Sequence, residues 1–277
     1  MALAELKPEL AAALTDGRLQ LHHAAQLATA AGISYLAARP DDSHTNLEWV
    51  PALGALASRS IPAGSGFRVG VRASDLTLLV TDLSTRERGA YSLNGRTMAN
   101  AAAWLGGELT RAGVDARRYT LSRHYEIPAH AVARGAAFDA RTTAVFSELA
   151  KWIGNAASVL EARAAASVNA SEVRCWPHHF DIATLFDFGE SRTSGVGLEL
   201  GDQYYAEPYY YVNLHPAPPA SAVTAPLAGG GTWHTHEWIG AVLPGSRLVR
   251  GAAAQELQIG AFLDSAACAV REVLGAS

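Results

Sequence analysis

Several features are scarce or absent in this sequence, and each absence excludes a class of protein. Cysteine occurs only at Cys175 and Cys268, which are far apart and lack CxxC spacing, so neither a disulfide scaffold nor a thiolate zinc site is expected. Lysine is almost absent, and no run of basic residues exists. With a formal net charge of −4, the chain has no electrostatic footprint for nucleic acid, and we expect no such partner.

Long apolar runs and phosphate-binding loops are also missing. No window reaches the roughly 20 apolar residues of a membrane span, so no membrane partner is expected. Glu5, Lys7 and Glu9 interrupt the stretch where a signal peptide needs apolar residues, and we therefore expect a cytoplasmic protein. The glycines at 229–231 precede a strand pattern rather than a helix, which argues against a nucleotide cofactor.

What is present indicates an ordinary folded protein. The 277 residues are 49% hydrophobic and 17% charged, which is enough for a sizeable core. Apolar residues at helical spacing predict four helices, over residues 18–31, 97–112, 139–166 and 252–274. Glycines are expected to end the first two, at Gly32 and Gly113, and Asp139 is expected to cap the third.

Strands are predicted between these helices. Residues 67–80 alternate apolar and polar side chains around a turn at Ser74 and Asp75, which predicts a hairpin with one buried face and one face in water. The strand before it contains Pro51, so an edge or a bulge is expected there.

Helix, strands and helix follow one another in each half of the chain. We therefore predict a single α+β domain over residues 1–277, with antiparallel sheet and packed helices. The halves 18–112 and 139–274 would be a pseudo-twofold duplication of an α-β-β-β-α unit. Identity between the halves is poor, and the same order also arises by chance.

Most residues that could carry chemistry lie between residues 174 and 238. If this region forms three neighbouring strands, alternation places His179 with Asp181 on one face and His234 with His236 on another. Asp181 and Glu207, beside aromatic residues, are candidate catalytic acid and base. A third strand would present further polar and aromatic side chains on one face: Glu207, Tyr209, Tyr211, Asn213 and His215.

Four histidines are candidate metal ligands. His234 and His236 on one strand can present two imidazoles side by side, and His179 and His215 could complete the set. Such a site would suit zinc or iron. The alternative is that these histidines and tyrosines only hydrogen-bond within a polar sheet face.

Several short motifs resemble those of an uncharacterised bacterial family, known as a domain of unknown function. The motifs are LHHAAQ (21–26), SHTNLEWVPALGALASRSIP (43–62), HYEIP (124–128), HHFDIATLF (178–186), YYYVNLHPAP (209–218) and GAVLPGSRL (240–248). The resemblance implies no activity. It does imply that His22, Gln26, His44 and Asp181 match polar positions of the family's pattern.

These observations lead to a functional hypothesis with one alternative. The chain would bind a small molecule in a His, Asp and Tyr-rich pocket, with metal-dependent catalysis there. The candidate ligand-binding residues are His22, Gln26, His44, Trp49, Tyr209, Tyr211 and Trp238. The alternative is a ligand-binding or dimerising protein without metal or catalysis, because tyrosine-rich surfaces also form ligand pockets and homodimer interfaces.

Overall fold

The structure is a computed structural model that describes residues 2–275, and it confirms the α+β class. Within those residues it has four α-helices and eleven strands, and the strands pair antiparallel. The helices are α1 (Thr15–Tyr35), α2 (Met98–Arg111), α3 (Thr143–Ala165) and α4 (Ala252–Leu274). The strands are β1 (Leu47–Val50), β2 (Ala55–Ser58), β3 (Arg68–Arg72), β4 (Thr77–Thr81), β5 (Glu87–Ser92), β6 (Arg174–Trp176), β7 (Asp181–Asp187), β8 (Thr193–Glu199), β9 (Tyr209–Asn213), β10 (Thr232–His234) and β11 (Gly240–Pro244).

The chain divides into two compact units that alternate along the sequence. The N-terminal unit comprises Asp16–Ala150 and Arg174–Phe180. The C-terminal unit comprises the residues up to Thr15, Lys151–Val173 and those from Asp181 onward. The predicted duplication stays a prediction, since its two halves do not coincide with these units.

In the N-terminal unit the strand order is β6-β1-β2-β3-β4-β5. The predicted hairpin is confirmed, with Val69 opposite Val80 and Val71 opposite Leu78. The expected water-facing side is wrong for its second strand, because every residue of β4 is buried. Both faces of that strand are therefore covered.

Two local predictions in this unit are wrong for identifiable reasons. Pro51 does not lie inside a strand: it follows β1 and opens a turn that closes at Gly54, where φ is +58°. Gly32 does not end α1, which continues to Tyr35. A Cβ at Gly32 would lie 2.4 Å from the carbonyl oxygen of His44, so this glycine permits close packing rather than chain reversal.

Helix α2 has a capping box at its start, which the structure reveals, and the predicted glycine at its end. The Thr97 side chain accepts from the backbone N–H of Asn100, and the Asn100 side chain accepts from the Thr97 N–H, which is a capping box. Gly113, with φ of +85°, follows the last turn as predicted.

In the C-terminal unit the strand order is β10-β11-β9-β8-β7, and α4 packs on β9 and β11. The predicted bounds of α4 are confirmed. Its core-facing stripe is buried and contains Ile259, Phe262, Leu263, Ala266 and Val270. Among the described residues, no helix combines the length and the apolar character that crossing a bilayer requires.

Helix α3 begins later than predicted. Its first residue is Thr143, and Asp139 does not cap it. The Asp139 carboxylate instead accepts two hydrogen bonds from the Arg141 guanidinium, at 2.9 and 2.6 Å. The predicted apolar stripe is confirmed, because Leu149, Trp152 and Ile153 are fully buried.

Candidate functional site

The tyrosine-rich strand β9 positions a hydrogen-bonded group on one sheet face of the C-terminal unit. Tyr211 lies opposite Gly197 of β8, and a Cβ on that glycine would lie 2.7 Å from the tyrosine ring. The missing side chain lets the ring lie across β8. The Tyr211 hydroxyl then reaches β7 and donates to Asp181 Oδ2 at 2.6 Å.

Two carboxylates stand side by side on the neighbouring strands β7 and β8. Asp181 and Glu199 are directly opposite in the β7–β8 register, and each is only 6% exposed. Burial, together with the negative charge of Asp181, raises the pKa of Tyr211 well above its ordinary value. Burial and then Glu199 likewise raise the pKa of Tyr209. Both tyrosines are therefore neutral hydrogen-bond donors at physiological pH.

Asp202, which sequence reasoning missed, organises the loop before β9. One of its carboxylate oxygens accepts from the backbone N–H groups of Tyr204 and Tyr205, at 2.8 and 2.9 Å. The other accepts from the Tyr209 hydroxyl at 2.9 Å. The signal was the aspartate two residues before Tyr204, since aspartate at that spacing favours an Asx turn.

The group continues toward the surface through His234. Its Nε2 lies 2.6 Å from the backbone oxygen of His236, and its Nδ1 lies 3.0 Å from the Tyr205 hydroxyl. Because a carbonyl only accepts, the proton is on Nε2, and Nδ1 accepts from Tyr205. Trp238 stacks on the His234 ring at 4.4 Å, and Tyr204, whose hydroxyl donates to Glu237, packs edge-on at 5.3 Å. We call the hydrogen-bonded and stacked group Asp181, Asp202, Tyr204, Tyr205, Tyr209, Tyr211, His234, Glu237 and Trp238 the tyrosine network.

The four candidate metal ligands are not brought together. β10 ends at His234, and the next turn, in which Glu237 has φ of +66°, leaves His236 exposed rather than beside His234 on a strand. His215 is exposed beyond the end of β9. His179 is exposed in the turn before β7, and in that turn Phe180 has φ of +70°, so His179 does not share a strand face with Asp181.

Metal binding at these residues stays a prediction without a ligand set to support it. Within residues 2–275 no group of three or more His, Cys, Asp or Glu side chains is placed to hold a metal ion. Both ring nitrogens of His234 are already engaged in hydrogen bonds. Binding a metal there would require breaking one of them.

Glu207, the second candidate catalytic carboxylate, does not lie in β9 and has a local partner. It accepts from the backbone N–H and the hydroxyl of Ser246, at 2.5 and 2.8 Å. Ser246 belongs to the short 3-10 helix Gly245–Arg247. These bonds tie Glu207 to that helix, and Asp181 is held by Tyr211. The catalytic roles of Glu207 and Asp181 stay predictions.

In the N-terminal unit, His22 and Gln26 share one face of α1, as their four-residue spacing predicts. Both donate to the carbonyl oxygen of Pro177, at 2.8 and 3.0 Å. Gln26 also accepts from the Tyr125 hydroxyl at 2.9 Å, and Phe180 stacks on the His22 ring at 4.5 Å. Burial lowers the pKa of His22 to about 3, so this imidazole is neutral in the folded protein.

The remaining two candidate residues have separate surroundings. His44 is buried, and its Nδ1 accepts from the backbone N–H of Arg39 at 3.2 Å, which closes a loop. Trp49 is half-buried on β1, opposite Leu56 of β2. Neither residue is hydrogen-bonded to His22 or Gln26 in the structure.

A cavity of about 750 Å³ lies elsewhere in the C-terminal unit. Its walls come from the end of α3, from β7 and β8, and from the last three turns of α4. Its apolar lining includes Phe186, Phe188, Val196, Leu263, Ala267 and Val270. We call this space the α4 cavity.

Sequence reasoning missed the α4 cavity because its lining looks like core. Leu263, Ala267 and Val270 repeat at helical spacing, which is the pattern of any packed helix face. Small side chains at Ala166 and Ala267 leave the space open, and periodicity does not show this.

Comparison with protein families, with curated proteins and with solved structures finds no match for this chain.

Proposed function

We propose that this protein binds a small, largely apolar molecule in the α4 cavity. The observation that carries the proposal is the cavity itself, whose volume of about 750 Å³ falls in the range of ligand pockets. Aromatic and aliphatic side chains form most of its wall, as in sites that bind drug-sized molecules.

The tyrosine network is the weaker candidate for ligand binding. The side chains that the sequence suggested would meet a ligand there hydrogen-bond or stack on one another. Tyr211 is held by Asp181, Tyr209 by Asp202 and Tyr205 by His234. A ligand would have to replace these bonds, whereas the α4 cavity needs no such exchange.

Cys268 supplies a direct readout of occupancy, because it is exposed and lines the cavity. We would measure its alkylation by N-ethylmaleimide with three ten-carbon probes: decanoate, 1-decanol and decyltrimethylammonium. Cys175 is the internal control, since it is buried. Binding of any of the three in the cavity slows labelling of Cys268.

Cavity-filling variants separate binding in the cavity from binding elsewhere. Ala267→Trp and Ala166→Trp both add volume at lining positions that are not fully buried, and we expect each to abolish protection by the probes. Ala261→Trp is the matched control, because Ala261 is an exposed position of α4 outside the lining. Failure of all three probes to slow labelling of the parent protein would overturn the proposal.

Catalysis, metal binding, a homodimer and a cytoplasmic location all stay predictions. Elemental analysis of the metal content and the mass at increasing protein concentration test the second and the third. None of them is needed for binding in the α4 cavity.

A further inference from the structure

The polar side chains of the α4 cavity differ in how strongly they are held by partners. Arg163 donates to Asp264 at 2.6 Å and to the backbone oxygen of Gly260 at 3.2 Å. These bonds tie the end of α3 to α4. The charges of Arg163 and Asp264 neutralise each other. The Arg163 and Asp264 pair is therefore part of the wall rather than a contact for a ligand.

Arg271 is placed differently. Its guanidinium lies over the Phe188 ring, 5.8 Å from the ring centre, and no carboxylate lies within ion-pair distance of it in residues 2–275. The same ring contributes to the cavity wall. The cation–π contact holds the positive charge beside an apolar surface, where its hydrogen-bond donors can meet a ligand.

The lining positions on α4 set the direction of a bound molecule. Leu263, Ala267, Val270 and Arg271 follow the spacing of one helix face, so their side chains lie in a row. The row runs from apolar residues in the middle of α4 to the arginine near its C-terminal end. A molecule lying along it would have an apolar body and one polar end.

We propose that the α4 cavity binds an amphipathic carboxylate, with its hydrocarbon chain against the half-buried Phe186 and Ala267 and its carboxylate on the Arg271 guanidinium. A guanidinium matches a carboxylate through two parallel hydrogen bonds. This inference rests on the proposed function, because it names the class of molecule that the cavity takes.

The labelling assay distinguishes the headgroups. Decanoate should protect Cys268 at a concentration about tenfold lower than 1-decanol, and decyltrimethylammonium should protect least, because only the carboxylate gains a charge-assisted bond to Arg271. Decanoate and decyltrimethylammonium are kept below their micelle-forming concentrations, and 1-decanol is kept below its solubility limit. Equal protection by all three probes would leave the proposal of apolar binding intact and would overturn the proposal that the cavity recognises a carboxylate.

Variants of the charged residues test the assignment to Arg271. Arg271→Gln should weaken the binding of decanoate about tenfold and leave the binding of 1-decanol unchanged. Arg271→Lys should restore part of the difference in affinity between the two probes. Arg250→Gln is the matched control, since Arg250 is exposed and outside the lining. Glu272→Gln removes a negative charge from the lining and should strengthen the binding of decanoate.

These outcomes keep the two proposals apart. If no probe protects Cys268 in the parent protein, binding in the cavity itself is wrong. Decanoate could instead protect Cys268 in the parent protein, with Arg271→Gln weakening this protection no more than Arg250→Gln does. The cavity would then be a binding site, but Arg271 would not hold the carboxylate, and the inference would be overturned.

Discussion

The hydroxyl of Tyr211 on β9 donates to Asp181 on β7 across the intervening strand β8, at 2.6 Å. This bond joins the buried end of the tyrosine network to three strands of the C-terminal unit. It is possible because Gly197 leaves the ring room to lie flat on β8.

Removing that hydroxyl tests its structural role. Tyr211→Phe should lower the free energy of unfolding by about 1.5 to 3 kcal/mol, because a hydrogen bond to a buried charged group is lost. Tyr204→Phe is the matched control: its hydroxyl donates to the exposed Glu237, and we expect a change below about 1 kcal/mol. Urea unfolding measures both. Equal effects of the two substitutions would contradict the role given to the Tyr211 bond.

Filling the space at Gly197 tests the same geometry from the opposite strand. Gly197→Ala would place a methyl group 2.7 Å from the Tyr211 ring, so the ring must move and its bond to Asp181 should lengthen or break. We expect destabilisation by about 1 to 3 kcal/mol. Gly260→Ala in α4 meets nothing within 4 Å and should stabilise by about 0.5 to 1 kcal/mol. An unchanged free energy of unfolding in Gly197→Ala would show that the position of the Tyr211 ring does not depend on this glycine.

His22 should make stability depend on pH. Its folded-state pKa is about 3, compared with 6.5 for an ordinary histidine, so between these values the unfolded chain binds a proton that the folded chain does not. Stability from this group is complete above pH 6.5 and falls as the pH decreases toward 3, with a slope of up to about 1.4 kcal/mol per pH unit.

The variant His22→Gln should remove that part of the slope. The control is His236→Gln, because the His236 side chain is exposed. Unfolding free energies between pH 7 and pH 4 provide the measurement. An unchanged slope in His22→Gln would contradict this, because it would show that His22 binds protons equally in the folded and unfolded chains.

The metal hypothesis has its own direct test. Both nitrogens of His234 are hydrogen-bonded within the chain, so a metal ion at His234 has to displace one of these bonds. Elemental analysis of protein purified without an affinity tag or chelator measures whether zinc or iron does so. Near-stoichiometric metal that is lost in a folded His234→Ala, His236→Ala double variant would support a metal site at these histidines, and metal-free parent protein that stays metal-free when zinc or iron is offered would contradict one.

Local signals in the sequence predicted elements well where one residue decides the backbone. Gly113 follows α2 as predicted because a left-handed backbone is a property of glycine itself. The hairpin at β3 and β4 followed from alternation. In contrast, Gly32 looked like a helix end, and its packing against the His44 carbonyl depends on a distant loop.

Candidate site residues were harder to predict because a functional pattern and a structural one use the same side chains. His234 and His236 look like paired ligands only if the strand continues, and it ends at His234. His22 and Gln26 were correctly placed on one face, but the carbonyl of Pro177 that they share lies far along the chain. The α4 cavity arises from where α3 ends relative to α4, which periodicity does not encode.

Methyl NMR spectra of the protein titrated with decanoate test the central claim most directly. The account predicts that the methyl resonances of Val196, Leu263 and Val270 shift together with one dissociation constant, while those of Leu56 and Leu78 in the N-terminal unit do not move. Saturating shifts confined to the lining would establish the α4 cavity as the binding site. Unmoved Val196, Leu263 and Val270, or shifts spread over both units, would contradict it.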